Sequence, residues 1–418
     1  MLKAGIIGGG AAGMFAAVNL KSMSPGLAVT VLEAGTRVLA KVSVTGGGRC
    51  NLTHTFAGVR SPEEVYPRGA RLMKRLMYGF SERDTWEWFE NHGVPLAVRK
   101  DFDPDCSMSE RECVFPASQD AMTVVNCLTH EARKRGVEIL TGCPVTAVEA
   151  DGGAYRVTAA GEAHTFDLLL IATGGLSPKM RAALAPLELP VAEPVPSLFT
   201  FNLPDSPLRE LMGTVADPVT VGLAGTRLRA EGALLVTHWG VSGPAVLRLS
   251  SYAARMLAER GYRAELSINW LHDLSQETAS ARLVSQARAT PQKLIASVSP
   301  FGLSHRLWEY ILRKAAIPAE RRWAEAGAKQ MNRLAEILTN DRHGIAGQSR
   351  FKEEFVTCGG IDLTAVSPQL ESRRWAGLFF AGEVLDIDGV TGGFNLQAAW
   401  TTGMTAARAM DAIVRRRS

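Results

Sequence analysis

Residues 45–51 read Thr-Gly-Gly-Gly-Arg-Cys-Asn. A guanidinium, a thiol and a carboxamide follow Gly46, Gly47 and Gly48, which have no side chain to pack and lose more entropy on folding than any other residue type. Such a run suits a loop that a ligand approaches closely, with Thr45 at its start and Arg49 and Asn51 supplying polar contacts to it. Cys50 is a candidate general acid, and a packing thiol is its alternative role. Arg49 keeps its proton, so it is expected to bind an anion or a carbonyl rather than to act as an acid. His238, in the turn THWGVSGP, is a second candidate for proton transfer, with a structural hydrogen bond as its alternative. Lys41 is expected against a phosphate or the edge of a bound cofactor, with a solvated lysine as its alternative.

These groups need a scaffold, and the N-terminus supplies one. KAGIIGGGAAGMFAAVNL is an apolar strand, then Gly8-x-Gly10-x-x-Gly13, then a helical run. Gly8 permits the tight turn, Gly10 lets a pyrophosphate approach, and Gly13 lets helix and strand pack. Ala11 and Ala12 open the helix, whose free N–H groups and partial positive charge suit phosphate. The second strand, LAVTVLEA, ends in Glu33 and Ala34. A carboxylate at Glu33 can accept both ribose hydroxyls and would repel a 2′-phosphate, which argues against NADP at this site.

Two later segments decide between NAD and FAD. FDLLLIATGG (166–175) is a buried strand ending in Ala172, Thr173 and Gly174. Near the C-terminus a strand ends in Gly382-Glu383, followed by a glycine turn with Gly392 and Gly393 and a helix from about Phe394, Asn395 and Leu396. A carboxylate at a late strand end suits the ribityl chain. A helix N-terminus aimed at the flavin pyrimidine edge stabilises the negative charge that appears on reduction. The expected cofactor is therefore FAD, extended from Gly8 to the C-terminal helix, with Val145 among its contacts. The glycine loop is expected against the flavin or its pyrophosphate. No second GxGxxG is present, so NAD(P)H would bind only transiently.

The motifs KVSVTGGGRCNLT, VFPAS (114–118), IATGG, THWGVSGPAVLRLS, VTCGGIDL and GLFFAGEVLDIDGVTGGFNLQAAWTTG occur in this order. Together they resemble the BaiN/RdsA family of bacterial FAD-dependent oxidoreductases, the YhiN-type, aminoacetone oxidase-like flavoproteins. The resemblance covers nearly the whole chain. It implies an FAD domain assembled from N- and C-terminal sequence around a family-specific insert. It also implies diverse chemistry: amine oxidation, reduction of a conjugated C=C in a steroid, and reduction of uridine in large-subunit ribosomal RNA. This chain departs from the family pattern at His54, where Asn is usual, and at Glu112-Cys113, where Gly-Arg is usual. It also has a short proline-rich stretch after residue 175 in place of a longer glycine-rich segment.

The fold class is α/β: a Rossmann-like FAD-binding domain of the two-dinucleotide-binding-domain type, interrupted by an insert. The expected boundaries are 1–190 and 354–418 for the FAD domain. The insert takes 191–353, β-rich over 191–272 and helical over 273–340. Prolines 186, 190, 194 and 196 are expected to mark the linker between them. Helices are expected across residues 71–96, capped at Ser81 and turning at Gly93, and a meander is expected to turn at Asp151-Gly152-Gly153.

Composition fits a globular enzyme: of 418 residues 46% are apolar and 21% charged, with a formal net charge of +4. That charge is too small to argue for nucleic acid by itself. Basic clusters at 68–75, 133–136, 321–323 and 415–417 would favour ribosomal RNA only if they shared a face with the active-site mouth. The six cysteines form no Cys-x-x-Cys and no zinc spacing, so no metal is expected. No signal peptide and no membrane-spanning run is read, so the expected location is cytoplasmic, without membrane or stable protein partner. The expected function is hydride transfer from reduced FAD to an unsaturated substrate, small molecule or ribosomal RNA, with NAD(P)H as donor. The alternatives are an rRNA dihydrouridine synthase, a flavin oxidase of a small amine such as aminoacetone, and a non-enzymatic flavin- or RNA-binding factor.

Overall fold

The computed structural model describes residues 2–103, 105–106, 110–347 and 356–417. They fall into two compact units, one formed by residues up to 196 together with those from 356 onward, the other beginning at 197. The expected re-entry at Glu354 lies outside the described residues.

The first unit is built on five strands, of which all but the edge strand at Glu138 are mostly apolar on both faces, as a sheet covered on two sides requires. These are β1 (Lys3–Ile7), β2 (Ala28–Leu32), β3 (Glu138–Leu140), β4 (Leu168–Ile171) and β5 (Leu378–Phe380). They lie in the order β5-β4-β1-β2-β3, all parallel. Every residue of β4 and β5 is buried. Helix α1 (Ala11–Met23) follows β1, and α2 (Phe394–Arg417) closes the chain. Both are buried along most of their length because they pack on each other as well as on the core. A Cβ at Gly403 of α2 would stand 2.8 Å from the Ala12 carbonyl oxygen, so glycine sets how closely the two helices meet.

A meander of Val145–Asp151, Ala154–Ala159 and Glu162–Phe166 lies between β3 and β4. Its first turn places Gly152 and Gly153 at φ +56° and +90°, the left-handed pair that a two-residue hairpin needs. Ser81 caps the helix Glu82–Asn91 in a reciprocal capping box with Asp84. A small sheet pairs Cys113–Pro116 with Thr53–His54 on one side and Leu96–Val98 on the other.

The proline-rich stretch corrects one expectation. Val191–Pro196 is not a linker that begins the insert: it is a strand of the first unit, antiparallel to Thr357–Ile361. Pro194 and Pro196 are tolerated because the ribbon has only two strands and its register shifts between Ala192 and Val195, so fewer N–H donors are needed.

The second unit carries a six-stranded antiparallel sheet. Helices Gln276–Ala289, His305–Lys314 and Ala328–Thr339 precede its last strand, Asp341–Ala346. Asp341 is a buried carboxylate at the start of that strand. It accepts from Trp270 Nε1 at 3.0 Å and lies 3.0 Å from His343 Nε2, with Lys314 Nζ also bonded to it. Desolvation alone would raise this carboxyl; the His343 and Lys314 contacts outweigh it and hold it below the usual range. A depressed folded value contributes stability above the unfolded value, near 4, which is lost as pH falls through the folded value. Asp341→Asn should therefore cost about 3 kcal/mol at neutral pH, because Lys314 loses its buried partner. Denaturant melts of both proteins at pH 7 and pH 3 check this: the difference should shrink at the lower pH.

Candidate dinucleotide and substrate site

The segments singled out in the sequence meet at the carboxyl edge of the parallel sheet, where open α/β sheets bind ligands. Gly8 leaves β1 at φ +107°, and a Cβ there would stand 2.4 Å from the Ala172 carbonyl oxygen at the end of β4. A Cβ at Gly13 would stand 2.0 Å from the Gly8 carbonyl oxygen. Gly10 differs: a Cβ there meets nothing within 4 Å. Gly10 also precedes α1 without any side-chain cap, so the N–H groups of Ala11, Ala12 and Gly13 begin the helix with no side chain to satisfy them. Crowding explains Gly8 and Gly13, whereas Gly10 borders free space at a helix N-terminus.

Glu33 stands at the end of β2. Its Oε2 accepts from Gly9 N and its Oε1 from Gly35 N, both at 2.7 Å, so its carboxylate is held in one orientation. The next residue, Ala34, is exposed. Cys143 N donates to the Glu33 carbonyl at 2.9 Å, which brings the segment leading to Val145 beside this strand end.

Glu383 follows β5. Its Oε1 accepts from Thr357 N at 2.8 Å, and its Oε2 lies 3.6 Å from Lys41 Nζ. Gly174 lies beside both: a Cβ there would be 3.7 Å from Glu383 Oε2 and 3.8 Å from Lys41 Nζ. Thr173 Oγ1 is buried with no hydrogen-bond partner among the described residues. Gly382 packs on α1, with its Cβ position 3.0 Å from Ala12 Cβ, and its N–H donates to Thr402 Oγ1 of α2 at 2.8 Å. A bare helix N-terminus, open space at Gly10, an oriented carboxylate and an orphaned hydroxyl together fit an extended dinucleotide such as FAD.

The glycine loop is the end of a helical turn, Ala40–Gly48, broken at Thr45, which is extended. Gly46, Gly47 and Gly48 have φ of +59°, +67° and +81°. A Cβ at Gly46 would press on Asn51 N at 3.0 Å and Phe115 Cε1 at 3.2 Å; at Gly47 and Gly48 it meets nothing within 4 Å. The left-handed backbone, rather than a protein neighbour, calls for glycine at those two positions. Gly47→Ala should then cost only about 1 kcal/mol of stability. If the loop faces the cofactor, flavin content should fall much further than that, which absorbance at equal protein concentration would show; full flavin would place the loop away from it.

Cys50 changes standing. It has φ +61° and is completely enclosed by protein atoms within the hydrophobic core. Burial pushes its thiol up to about 12, against a smaller lowering effect from the Thr45 hydrogen bond. A sealed, protonated thiol is poorly placed to exchange a proton with substrate, so the geometry favours the packing role. A raised folded value also means that Cys50 supports folding fully below the unfolded thiol value, near 8.5, and progressively less as pH climbs towards 12. Iodoacetamide at pH 8 should leave Cys50 unmodified in native protein and alkylate it in urea, as peptide mass spectrometry would record.

Several expected contacts are spent on the protein itself. With its amide turned to suit its neighbours, Asn51 donates to Thr53 O at 3.1 Å and accepts from Gly393 N at 3.3 Å, tying the loop to the entrance of α2. Asn395 both donates to and accepts from the Gly389 backbone at 2.8 Å. Phe394 is buried against His54, Phe56 and Tyr66, and Leu396 packs against the core. Gly392 and Gly393 have φ of +122° and +91°; a Cβ at Gly393 would stand 2.4 Å from Thr53 O. Arg49 Nε donates to Gly46 O at 3.1 Å. His238 lies in the second unit, exposed, with its ring edge-on to Trp239 at 4.4 Å.

Sequence reasoning missed Thr357, which orients Glu383, and Gln397, buried on α2 between Thr53 Oγ1 at 2.6 Å and Thr401 Oγ1 at 3.0 Å. A glutamine four residues before a threonine in the helical run FNLQAAWTTG was the available signal. The basic cluster at 68–75 is not all solvated, because Arg68 is engaged by the buried carboxylate of Asp388. Among the described residues no cluster of His, Cys, Asp and Glu could hold a metal, and no helix is long and apolar enough to cross a membrane.

Comparison with known proteins supplies the context for this geometry. The chain is 29% identical to the 3-dehydro-bile acid delta(4,6)-reductase of Clostridium scindens, over 98% of this chain and 99% of that one. It is 30% identical to the ribosomal RNA dihydrouridine synthase of Escherichia coli, over 96% of each, and 27% identical to that of Haemophilus influenzae, again over 96% of each. The model of the HI0933-like protein Rossmann domain matches residues 2–409, and the chain belongs to that family.

Proposed function

We propose that this FAD-dependent oxidoreductase reduces an electron-poor C=C of its substrate, with NAD(P)H as electron donor. The observation that carries the reading is the cradle along the carboxyl edge of the sheet: open space at Gly10, the unsatisfied N-terminus of α1, and the Glu33 and Glu383 carboxylates at its strand ends. Two kinds of relative point the same way, one named for a delta(4,6)-reductase and the other for a synthase of a dihydro product.

When bound, FAD supplies a hydride donor and acceptor. The chain's own residues bind and orient it. The α1 N-terminus receives the pyrophosphate, Glu33 the adenosine ribose, and Glu383, with Lys41 and Thr173, the polar chain leading to the flavin. Asn51 and Gln397 hold the entrance of α2, whose N-terminal dipole favours negative charge on a reduced ring. Burial removes Cys50 from the front rank of proton donors, which leaves His238 as the candidate to test.

The two synthases favour uridine in ribosomal RNA as a second substrate reading. Denatured protein should release FAD rather than FMN, and anaerobic NADH or NADPH should bleach the bound flavin. His238→Ala should leave that bleaching intact and slow only the step with substrate, by roughly 10²–10⁴-fold if it donates the proton. Released FMN, or a flavin that neither nucleotide reduces, would overturn the proposal.

A further inference from the structure

Arg99 has two hydrogen-bond donor atoms that none of the described residues engages. Its side chain is only 13% exposed. Nη2 donates to Asp103 Oδ2 at 2.6 Å, but Nε and Nη1 are buried with no partner among the described residues. The guanidinium carbon lies 5.7 Å from the Phe102 ring centroid and 6.0 Å from that of Phe115. A ring offers the cation a π face but no lone pair, so Nε and Nη1 keep no conventional acceptor among the described residues. Leaving such donors buried and unpaired is costly, and native folds rarely do so without a reason.

The surroundings supply a reason. Phe115 also receives Arg49, whose guanidinium carbon is 5.2 Å from the same centroid. Arg49 spends Nε on Gly46 O. Phe115 in turn touches the glycine loop, since a Cβ at Gly46 would be 3.2 Å from its ring. One buried ring thus gathers two cations and the loop expected at the flavin, while among the described residues Asp103 is the single carboxylate bonded to either guanidinium.

We propose that Arg99 and Arg49, arranged about Phe115, recognise an oxyanion on the substrate, either a carboxylate or a phosphate. The inference rests on the reading of the neighbouring cradle as a flavin site and deepens it by naming a chemical class of substrate. An oxyanion here would satisfy the idle donors of Arg99 with charge-assisted hydrogen bonds and offset the excess positive charge.

The test uses the full-length, FAD-loaded protein and two probes, inorganic phosphate and benzoate, each titrated by calorimetry. At least one should bind. Arg99→Gln should weaken that probe by about 10-fold or more, with FAD content unchanged, and Arg49→Gln should weaken it likewise. Binding of phosphate alone assigns a phosphate-bearing substrate, and binding of benzoate alone a carboxylate. If Arg99→Gln does not fold, Arg99→Lys keeps the charge without the planar fork and should still weaken the probe. Failure of both probes to bind, unchanged affinity in the variants, or loss of FAD from an Arg99 variant would overturn the proposal; the last would assign the donors to the cofactor. Heat rather than turnover is read, so an inactive but anion-binding protein would count against the reduction chemistry and not against this site.

Discussion

Gly13→Ala should yield protein that has lost its flavin. The added methyl carbon would stand 2.0 Å from the Gly8 carbonyl oxygen and 3.3 Å from Ile6 Cγ2. The first of these is backbone, fixed by Gly8 N donating to Leu32 O at 2.9 Å, so no rotamer change relieves the overlap. Helix α1 would have to move away from β1, yet its other side is held by Gly403 of α2. Overpacking of this kind costs roughly 3 kcal/mol, and any movement displaces the helix N-terminus expected to face the pyrophosphate. Far-UV circular dichroism should retain most of the helix signal while flavin absorbance at equal protein concentration disappears. Full flavin in this variant would show that the close approach of α1 to β1 is not what forms the cradle.

Glu33→Ala should weaken FAD by about 2–4 kcal/mol, the value of two charge-assisted hydrogen bonds to a ribose. The carboxylate is oriented beforehand by Gly9 N and Gly35 N, so little ordering is left to be done when a ligand arrives. Removing it also leaves those two N–H groups without their acceptor. Equilibrium dialysis of the apoprotein with FAD reads the change directly. Glu33→Gln is the informative companion, since it keeps the shape and one acceptor and should lie between wild type and alanine. Equal affinity in all three proteins would move the adenosine end elsewhere.

The parallel sheet was legible because backbone sterics write themselves into sequence. Gly8 and Gly13 are glycine for reasons internal to the chain, a left-handed φ and a 2.0 Å approach, and such needs recur at fixed spacing. The strands LLLI and LFF were legible as unbroken apolar runs. The tight turn at Gly152-Gly153 and the cap at Ser81 were legible because each is a local hydrogen-bonding or φ requirement.

What was not legible depends on partners far apart in the chain. Val191–Pro196 looks like a linker by composition, and only its pairing with Thr357–Ile361 makes it a strand. Thr357 reaches Glu383 through its backbone N–H, which leaves no trace in residue type. Asn395 sits in the motif expected to touch flavin, yet its amide closes on Gly389. Cys50 shows the same limit most clearly. The motif places it beside three glycines, but whether the thiol faces out or in depends on its own φ of +61° and on the core it enters. Arg99 carried no motif at all; only the absence of partners for two of its donors among the described residues draws attention to it.

The central claim is that electrons leave the flavin for a carbon–carbon double bond. The direct measurement is an anaerobic single turnover: the bound FAD is reduced, excess donor is removed, and candidate unsaturated acceptors, including ribosomal RNA precursor, are mixed in turn while the flavin band is followed. The expected result is that one acceptor restores the oxidised flavin spectrum without oxygen, at a rate that rises with its concentration, and yields one dihydro product per flavin. A flavin that stays reduced with every acceptor and reoxidises only when oxygen is admitted would contradict the account and favour an oxidase.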